Sequence, residues 1–164
     1  MSLVYHISDL HMGHKNILSF AGSDRGGECV GTHDRWIIKQ WNSVIRKRDT
    51  VFVHGDVAMT KEGLYACKKL NGTKKLIMGN HDEFKIDEYL YTGGFSEILP
   101  SLMRYKGTWL SHCPIHPDEL RGKINIHGHV HQQSIMLGRK LDPRYRNVCV
   151  EQCYGVPILH AALR

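Results

Sequence analysis

"LVYHISDLH", residues 3–11, decides how the chain is read. Residues 3–8 form a short, mostly apolar run suited to a buried strand, and the run passes directly into Asp9, Leu10 and His11. A carboxylate and an imidazole one residue apart, at the end of a rigid strand, stand where ligand sites collect in α/β proteins. The same event recurs downstream. "TVFVHGD" (50–56) and "KKLIMGNHD" (74–82) are again strands running into polar loops, which carry Asp56 and Asn80-His81-Asp82.

Between these strands the period changes. Residues 21–33 are rich in Gly and polar residues and read as a loop. Over residues 34–48, Trp36, Ile37, Trp41, Val44 and Ile45 recur at helical spacing, with Asp34 placed to cap or charge the N-terminus. Residues 61–72 read as a short helix closed by Asn71-Gly72, and 84–91 as another. From residue 95 strands follow in close succession, at 95–99, 101–106, 107–113, 123–129 and 146–151, separated by a turn of helix in 114–122 and a turn-rich 137–146. There is no repeat, low-complexity tract or interdomain linker. The pattern predicts a single α/β domain over residues 1–164, two packed sheets flanked by helices.

Composition narrows the class. Hydrophobic residues are 41% and charged residues 23%, an ordinary globular mixture. No apolar run approaches the roughly 18 residues a membrane span needs, and the start lacks a secretory pattern, so no membrane partner is expected. Cys29, Cys67, Cys113, Cys149 and Cys153 are odd in number and form no CxxC pair, which points to a reducing, cytoplasmic compartment. All five read as small hydrophobes. The net charge of +6 is spread over short basic runs such as 46–48 and 138–140, a lean towards phosphate-bearing anions and no more. Twelve histidines are the anomaly, and they ask for a metal or for several unrelated reasons.

The donors share a placement: Asp9 and His11 follow the first strand, Asp56 the second, and Asn80-His81 the third. His112 ends "TWLSH", and the next strand ends in "HGHVH" (127–131). Carboxylate, imidazole and one amide oxygen together suit Mn, Fe, Zn, Co or Ni. Asp56 can bridge two ions with its two oxygens, and two cations roughly 3.5–4 Å apart can clamp a phosphate. Within "INIHGHVHQ" (124–132), a plain strand would turn His127, His129 and His131 to one face.

"DLH" (9–11), "GD" (55–56), "GNHD" (79–82), "SH" (111–112) and "GHVH" (128–131), in that order, resemble the five motifs of the calcineurin-like metallophosphoesterases. The opening "SDLHMGHKNIL" (8–18) is similar to a group of small bacterial and phage phosphoesterases of that superfamily. The resemblance implies a four-layer αββα fold and a dinuclear centre holding two divalent ions, Mn2+ foremost. Asp9, His11 and His131 would hold one ion, Asn80, His112 and His129 the other, with Asp56 bridging. His81 would stand near the scissile phosphate as general acid or electrostatic stabiliser, with Asp82 positioning it. The implied reaction is phosphoester hydrolysis by a metal-bound hydroxide attacking in line. "VAMTKEG" (57–63) lacks the arginine that protein phosphatases of the superfamily carry after "GD", which weakens that reading, and the likeness to small, minimal members, many of which act on phosphodiesters, favours a diester.

Rival functions remain: a phosphomonoesterase on nucleotides or small phosphates, and a non-catalytic protein-binding scaffold. The scaffold predicts missing ligands, whereas every ligand position here is filled. Substrates from small phosphoesters and nucleotide diesters to nucleic acid satisfy the motifs, and loops 12–35 and 113–123 are the expected selectors. His14 and Asn16 lie close enough to the first loop to touch substrate, and His116 close enough to His112. His6, His33 and His160 read as surface or structural, His54 as core or as packing behind the metals, and His127 as a metal-ligand neighbour or a bystander. Trp36 and Trp41 read as core, and Arg104, Arg121 and Lys123 as solvated surface.

Overall fold

The computed structural model describes residues 1–164. Strands β1 (Val4–Ile7), β2 (Thr50–Val53), β3 (Thr73–Ile77) and β4 (Glu97–Leu99) pair in parallel in that order, and a late strand, Ile158–Leu159, adds antiparallel to β1. Helices α1 (Ile17–Ala21), α2 (Val30–Val44), α3 (Lys61–Ala66) and α4 (Ile86–Tyr91) occupy the connections. Side chains alternate along each strand, so one face of this sheet presents Ile7, Val51, Val53 and Leu76. Ile37 and Trp41 of α2, Leu64 of α3 and Tyr89 of α4 close over that face in a 17-residue cluster.

The opposite face presents Phe52 and Ile77 to a second sheet. That sheet contains β5 (Leu102–Tyr105), β6 (Thr108–Ser111), β7 (Asn125–His127) and, beyond the small hairpin of β8 (Met136–Leu137) and β9 (Lys140–Leu141), β10 (Tyr145–Asn147). Its order is β10-β7-β6-β5, parallel except for the β5–β6 pair. Leu110, Ile126, Val148 and Leu163 complete the six-residue cluster between the sheets. Helix α5 (Val150–Cys153) contributes Val150 to the first cluster, and the late strand is β11.

The four-layer αββα expectation is therefore corrected. The protein is a mixed α/β fold with five α-helices, and every helix in a core cluster packs against the first sheet. The second sheet's strands have three or four residues, and the connections at 112–124 and 128–144 hold no α-helix, only a 3₁₀ turn at Pro117–Glu119 and the β8–β9 hairpin. Its outer face is covered by a loop. The Asn125 amide oxygen accepts from Ile115 N–H at 3.0 Å, Tyr145 donates to the Ile115 carbonyl at 2.6 Å, and Trp109 Nε1 donates to the Leu120 carbonyl at 3.2 Å.

Local boundaries shift for identifiable reasons. α2 begins at Val30, so Asp34 is inside it and caps nothing; its carboxylate accepts from Gly13 N–H at 3.1 Å and ties the first loop down. The 146–151 strand breaks after Asn147, where α5 follows. No helix is long and apolar enough to cross a membrane.

Candidate metal centre

The residues after β1, β2, β3, β6 and β7 meet at one end of the two sheets. Parallel pairing fixes this: Ile7 sits opposite Val53, and Leu110 opposite Ile126, so the loops leave at one level. Eight non-glycine residues have positive φ, and five are Asp9 (60°), His11 (50°), Asp56 (54°), His129 (71°) and His131 (49°). Such conformations cost about 1–3 kcal/mol each and persist where surrounding structure enforces them. They also answer the histidine question. The strand stops at His127, and left-handed turns at His129 and His131 re-aim both rings into the site.

The loops touch closely. A Cβ on Gly128 would lie 1.9 Å from Ser8 Oγ and 2.4 Å from Asp9 Oδ2; one on Gly79 would lie 2.2 Å from Asp56 Oδ1. Glycine is needed at both positions because no side chain fits between the loops.

At the centre, His11 Nε2 lies 3.7 Å from Asp9 Oδ1 and 3.7 Å from Asp56 Oδ2, and His131 Nε2 lies 3.8 Å from Asp9 Oδ1. On the other side, His112 Nε2 lies 3.5 Å from Asp56 Oδ1, 2.8 Å from Asn80 Oδ1 and 3.1 Å from His129 Nδ1. The separations of 3.5–3.8 Å are long for hydrogen bonds and suit donors gathered around a shared cation.

Hydrogen bonding points the lone pairs inward. His112 Nδ1 donates to the His54 carbonyl at 2.6 Å, so Nε2 presents a lone pair, and it faces another acceptor in Asn80 Oδ1. His131 Nδ1 donates to Glu151 Oε1 at 2.9 Å, freeing Nε2 in the same way. Asp9 Oδ2 accepts from His129 N–H and the Cys149 thiol, while the buried Oδ1 has no partner. Both ring nitrogens of His11 are likewise buried and unpartnered. Orphaned acceptors converging on one point are what a bound cation satisfies, so the donor set fits two divalent ions shared through Asp56.

The electrostatics agree. Burial alone would raise the Asp9 carboxyl, yet the nearby His11 and His112 rings and the hydrogen bonds from Ser8 and the His129 N–H hold it well below the ordinary carboxylate range. Burial lowers His129, with His112 beside it adding to the effect, whereas the hydrogen bond to Glu151 raises His131.

Two curated proteins align along most of their length. The Gene 66 protein of Mycobacterium phage L5 is 30% identical over 185 residues, covering 92% of this chain and 87% of that protein. The uncharacterized protein MJ1445 of Methanocaldococcus jannaschii is 35% identical over 173 residues, covering 96% and 87%. The chain belongs to their family. The crystal structure of the protein of unknown function AQ665 from Aquifex aeolicus superposes with a TM-score of 0.73 at 27% identity, covering 99% of this chain and 98% of that one. No protein-family model matches.

A cleft of about 510 Å³ opens over the site, lined by His11, His14, Phe20, His81, His129 and His131 among others. His14 lines it. Asn16 and His116 are not among its lining residues. Asn16 precedes α1, its carbonyl taking N–H groups of Ser19 and Phe20; His116 caps the turn at Pro117–Glu119 by accepting from Asp118 N–H. Loop 113–123 does not line this cleft either, because it is spent covering the second sheet.

Asp82 needs a different role. All its hydrogen bonds go elsewhere than the His81 ring: Oδ2 accepts from Asp56 and Gly79 N–H, and Oδ1 from Val57 N–H and the Tyr89 hydroxyl. It pins the "GD" loop to the "GN" loop. Burial pushes its carboxyl up, and the backbone donors oppose that.

Sequence reasoning missed Arg25, Glu151 and Cys149. The buried Arg25 guanidinium donates to the Asp9 carbonyl at 2.6 Å, the Leu10 carbonyl at 3.1 Å and Glu151 Oε1 at 2.8 Å, bracing the first loop from behind. Burial would raise Glu151, but His131 and Arg25 bring it below its ordinary value. None of the three stands in a local motif. His127 is fully buried; Nδ1 donates to the Gly128 carbonyl at 2.9 Å, and Nε2 is unpartnered.

Proposed function

We propose that this protein is a metal-dependent phosphoester hydrolase that favours phosphodiesters. The observation that carries the reading is the convergence of seven donors, with Asp9 Oδ1 and His11 Nε2 left unpartnered where they meet. Asp9, His11 and His131 are assigned to one divalent ion, Asn80, His112 and His129 to the other, and Asp56 to both. Mn2+ is the first candidate, with Fe, Zn, Ni and Co as alternatives. When bound, such a pair supplies Lewis-acid stabilisation of charge on a phosphoryl group and activates water.

The chain's own groups do the rest. His81 is exposed on the cleft, its ring 6.1 Å from that of His11, and its N–H is tied to Asp56 Oδ1 at 3.0 Å. From there the imidazole protonates the leaving oxygen or stabilises developing charge. The diester preference rests on charge. The lining includes histidines and glutamines but no lysine or arginine, whereas a monoester dianion calls for added cations. The cleft accepts a small phosphoester or a nucleotide diester, and its open mouth also admits a nucleic-acid end. Five free cysteines favour the cytoplasm as the place of action.

The test is hydrolysis of p-nitrophenyl phosphate and bis(p-nitrophenyl) phosphate by chelator-stripped protein, with and without Mn2+. Metal-dependent turnover that favours the diester is expected. Monoester preference would overturn the substrate class, and no turnover by metal-loaded protein would overturn the enzymatic reading for these esters.

A further inference from the structure

The donors on the His112 side of the centre have a neighbour that the expected ligand set leaves out. Cys113 follows His112 directly, and its Sγ lies within 4.8 Å of ligand nitrogens of both His112 and His129. Its backbone is fixed, since Ser111 Oγ donates to the Cys113 carbonyl at 2.6 Å, and its side chain is exposed and free. The nitrogens it approaches belong to a site with its own mark of a missing cation. His112, almost wholly buried, has its Nδ1 committed to the His54 carbonyl, so its Nε2 lone pair faces the Asn80 oxygen at 2.8 Å. Nε2 also lies 3.1 Å from His129 Nδ1, so two acceptors and a neighbouring imidazole meet at one point, an arrangement that a cation bound by all three would relieve.

We infer that Cys113 is a further ligand of the ion held by Asn80, His112 and His129, and that its sulfur biases this position towards thiophilic divalent metals. The inference rests on the dinuclear reading above and deepens it. On binding, the S–H bond breaks, the proton leaves to solvent, and a sulfur–metal bond forms; nothing is oxidised or reduced. A thiolate among imidazoles and an amide oxygen favours Zn2+, Co2+ or Fe2+ over Mn2+, because soft sulfur bonds poorly to harder ions. The two positions then differ. The one formed by Asp9, His11 and His131 offers only oxygen and nitrogen, while its neighbour offers one sulfur, and a mixed-metal centre follows under conditions where both ion types are present.

The test is spectroscopic. Chelator-stripped protein is titrated with Co2+ while metal content and near-ultraviolet absorption are followed. Uptake of two equivalents, with a sulfur-to-cobalt charge-transfer band in the wild type that Cys113→Ser loses while retaining cobalt, is expected. In parallel, alkylation mapped by peptide mass should show Cys113 protected by Zn2+ and released by chelator. Cys29, the other exposed cysteine, serves as the unprotected control. Two equivalents of cobalt without the band, or a band that survives Cys113→Ser, would overturn the ligand while leaving the dinuclear reading intact. Failure to take up cobalt at all would overturn both. Should the variant fail to fold, the Zn2+ protection of wild-type Cys113 decides alone, since an unprotected thiol is not a ligand.

Discussion

His131 and Glu151 form a directed pair: Nδ1 donates to Oε1 at 2.9 Å, and the opposite ring nitrogen is thereby turned towards Asp9. Glu151 is itself held by Arg25, whose other nitrogens grip the carbonyls of Asp9 and Leu10. One buried carboxylate thus sets the tautomer of His131 while its arginine fixes the backbone of Asp9.

Glu151→Gln should weaken the ion assigned to Asp9, His11 and His131. Outer partners of metal-bound histidines typically contribute about 10–100-fold in metal affinity, and a loss in that range is expected. Competition with a chromophoric chelator measures it, and the ion on the His112 side should be nearly unaffected. Equal loss at both positions would mean that Glu151 supports the whole fold and not His131 in particular.

Arg25→Met tests the brace from the other end. It strands the Glu151 carboxylate and two carbonyls in a buried place, and breaking a buried ion pair costs about 3–5 kcal/mol. Urea unfolding of metal-free protein should show destabilisation of that order. A change below about 1 kcal/mol, the range of exposed pairs, would show that the first loop holds without Arg25.

Asp82→Asn separates a loop brace from a partner of His81. An amide nitrogen cannot accept, so at least one of the backbone donors from Asp56, Val57 and Gly79 is left unsatisfied. Each such loss costs about 1–3 kcal/mol in a buried place. The variant should be less stable and less active, with an unchanged pH profile of turnover. An altered profile at unchanged stability would restore Asp82 as the partner of the His81 ring.

Much of the centre was legible because each donor sits just past a strand whose apolar run is visible. Strand ends and spacing marked Asp9, His11, Asp56, Asn80-His81, His112 and the 127–131 stretch, while the choice of Asn80, His129 and His131 as ligands came from the motif resemblance. The bracing was not legible. Arg25 and Glu151 are 126 residues apart, and Cys149 and Asp9 are 140 apart, so no window of sequence contains either pair. Arg25 lies in a stretch read as loop, and Glu151 in one read as strand. The outer layers failed for another reason: a motif set describes the donor-bearing end of two sheets and says nothing of what covers their far faces. There, Ile115, Leu120 and Asn125 replaced a helix with a loop.

A row of imidazoles predicts an acid limit to stability. His54 Nδ1 donates to the Ser111 carbonyl, and the neutral rings continue the chain, His6 Nδ1 donating to His54 Nε2 and His160 Nδ1 to His6 Nε2. Burial holds His6 well below its ordinary value of 6.5, with His54 and His160 adding to the effect. A depressed histidine binds its proton in the unfolded chain first, so stability is full above pH 6.5 and falls as pH drops below it. The His6 contribution approaches about 1.4 kcal/mol per pH unit. Urea unfolding of metal-free protein at several pH values should show this slope, and His6→Leu should be shallower by one proton. An identical slope in the variant would remove His6 as its source.

Asp56→Asn and His81→Ala should part company. Asp56 faces His11 with one oxygen at 3.7 Å and His112 with the other at 3.5 Å, so an amide there should lower occupancy of both ions and abolish turnover. His81 contacts the centre through its backbone, its N–H held by Asp56 Oδ1, while its ring is exposed on the cleft. Replacing the ring by a methyl group leaves that N–H in place, so metal content should stay near the wild-type level. Turnover should fall by about 10²–10⁴-fold, the usual range for a lost proton donor. The loss should shrink for substrates with good leaving groups, which need little protonation. Metal analysis of both variants, with turnover on leaving groups of rising pKa, distinguishes the two roles; a His81→Ala protein stripped of metal would place His81 among the ligands instead.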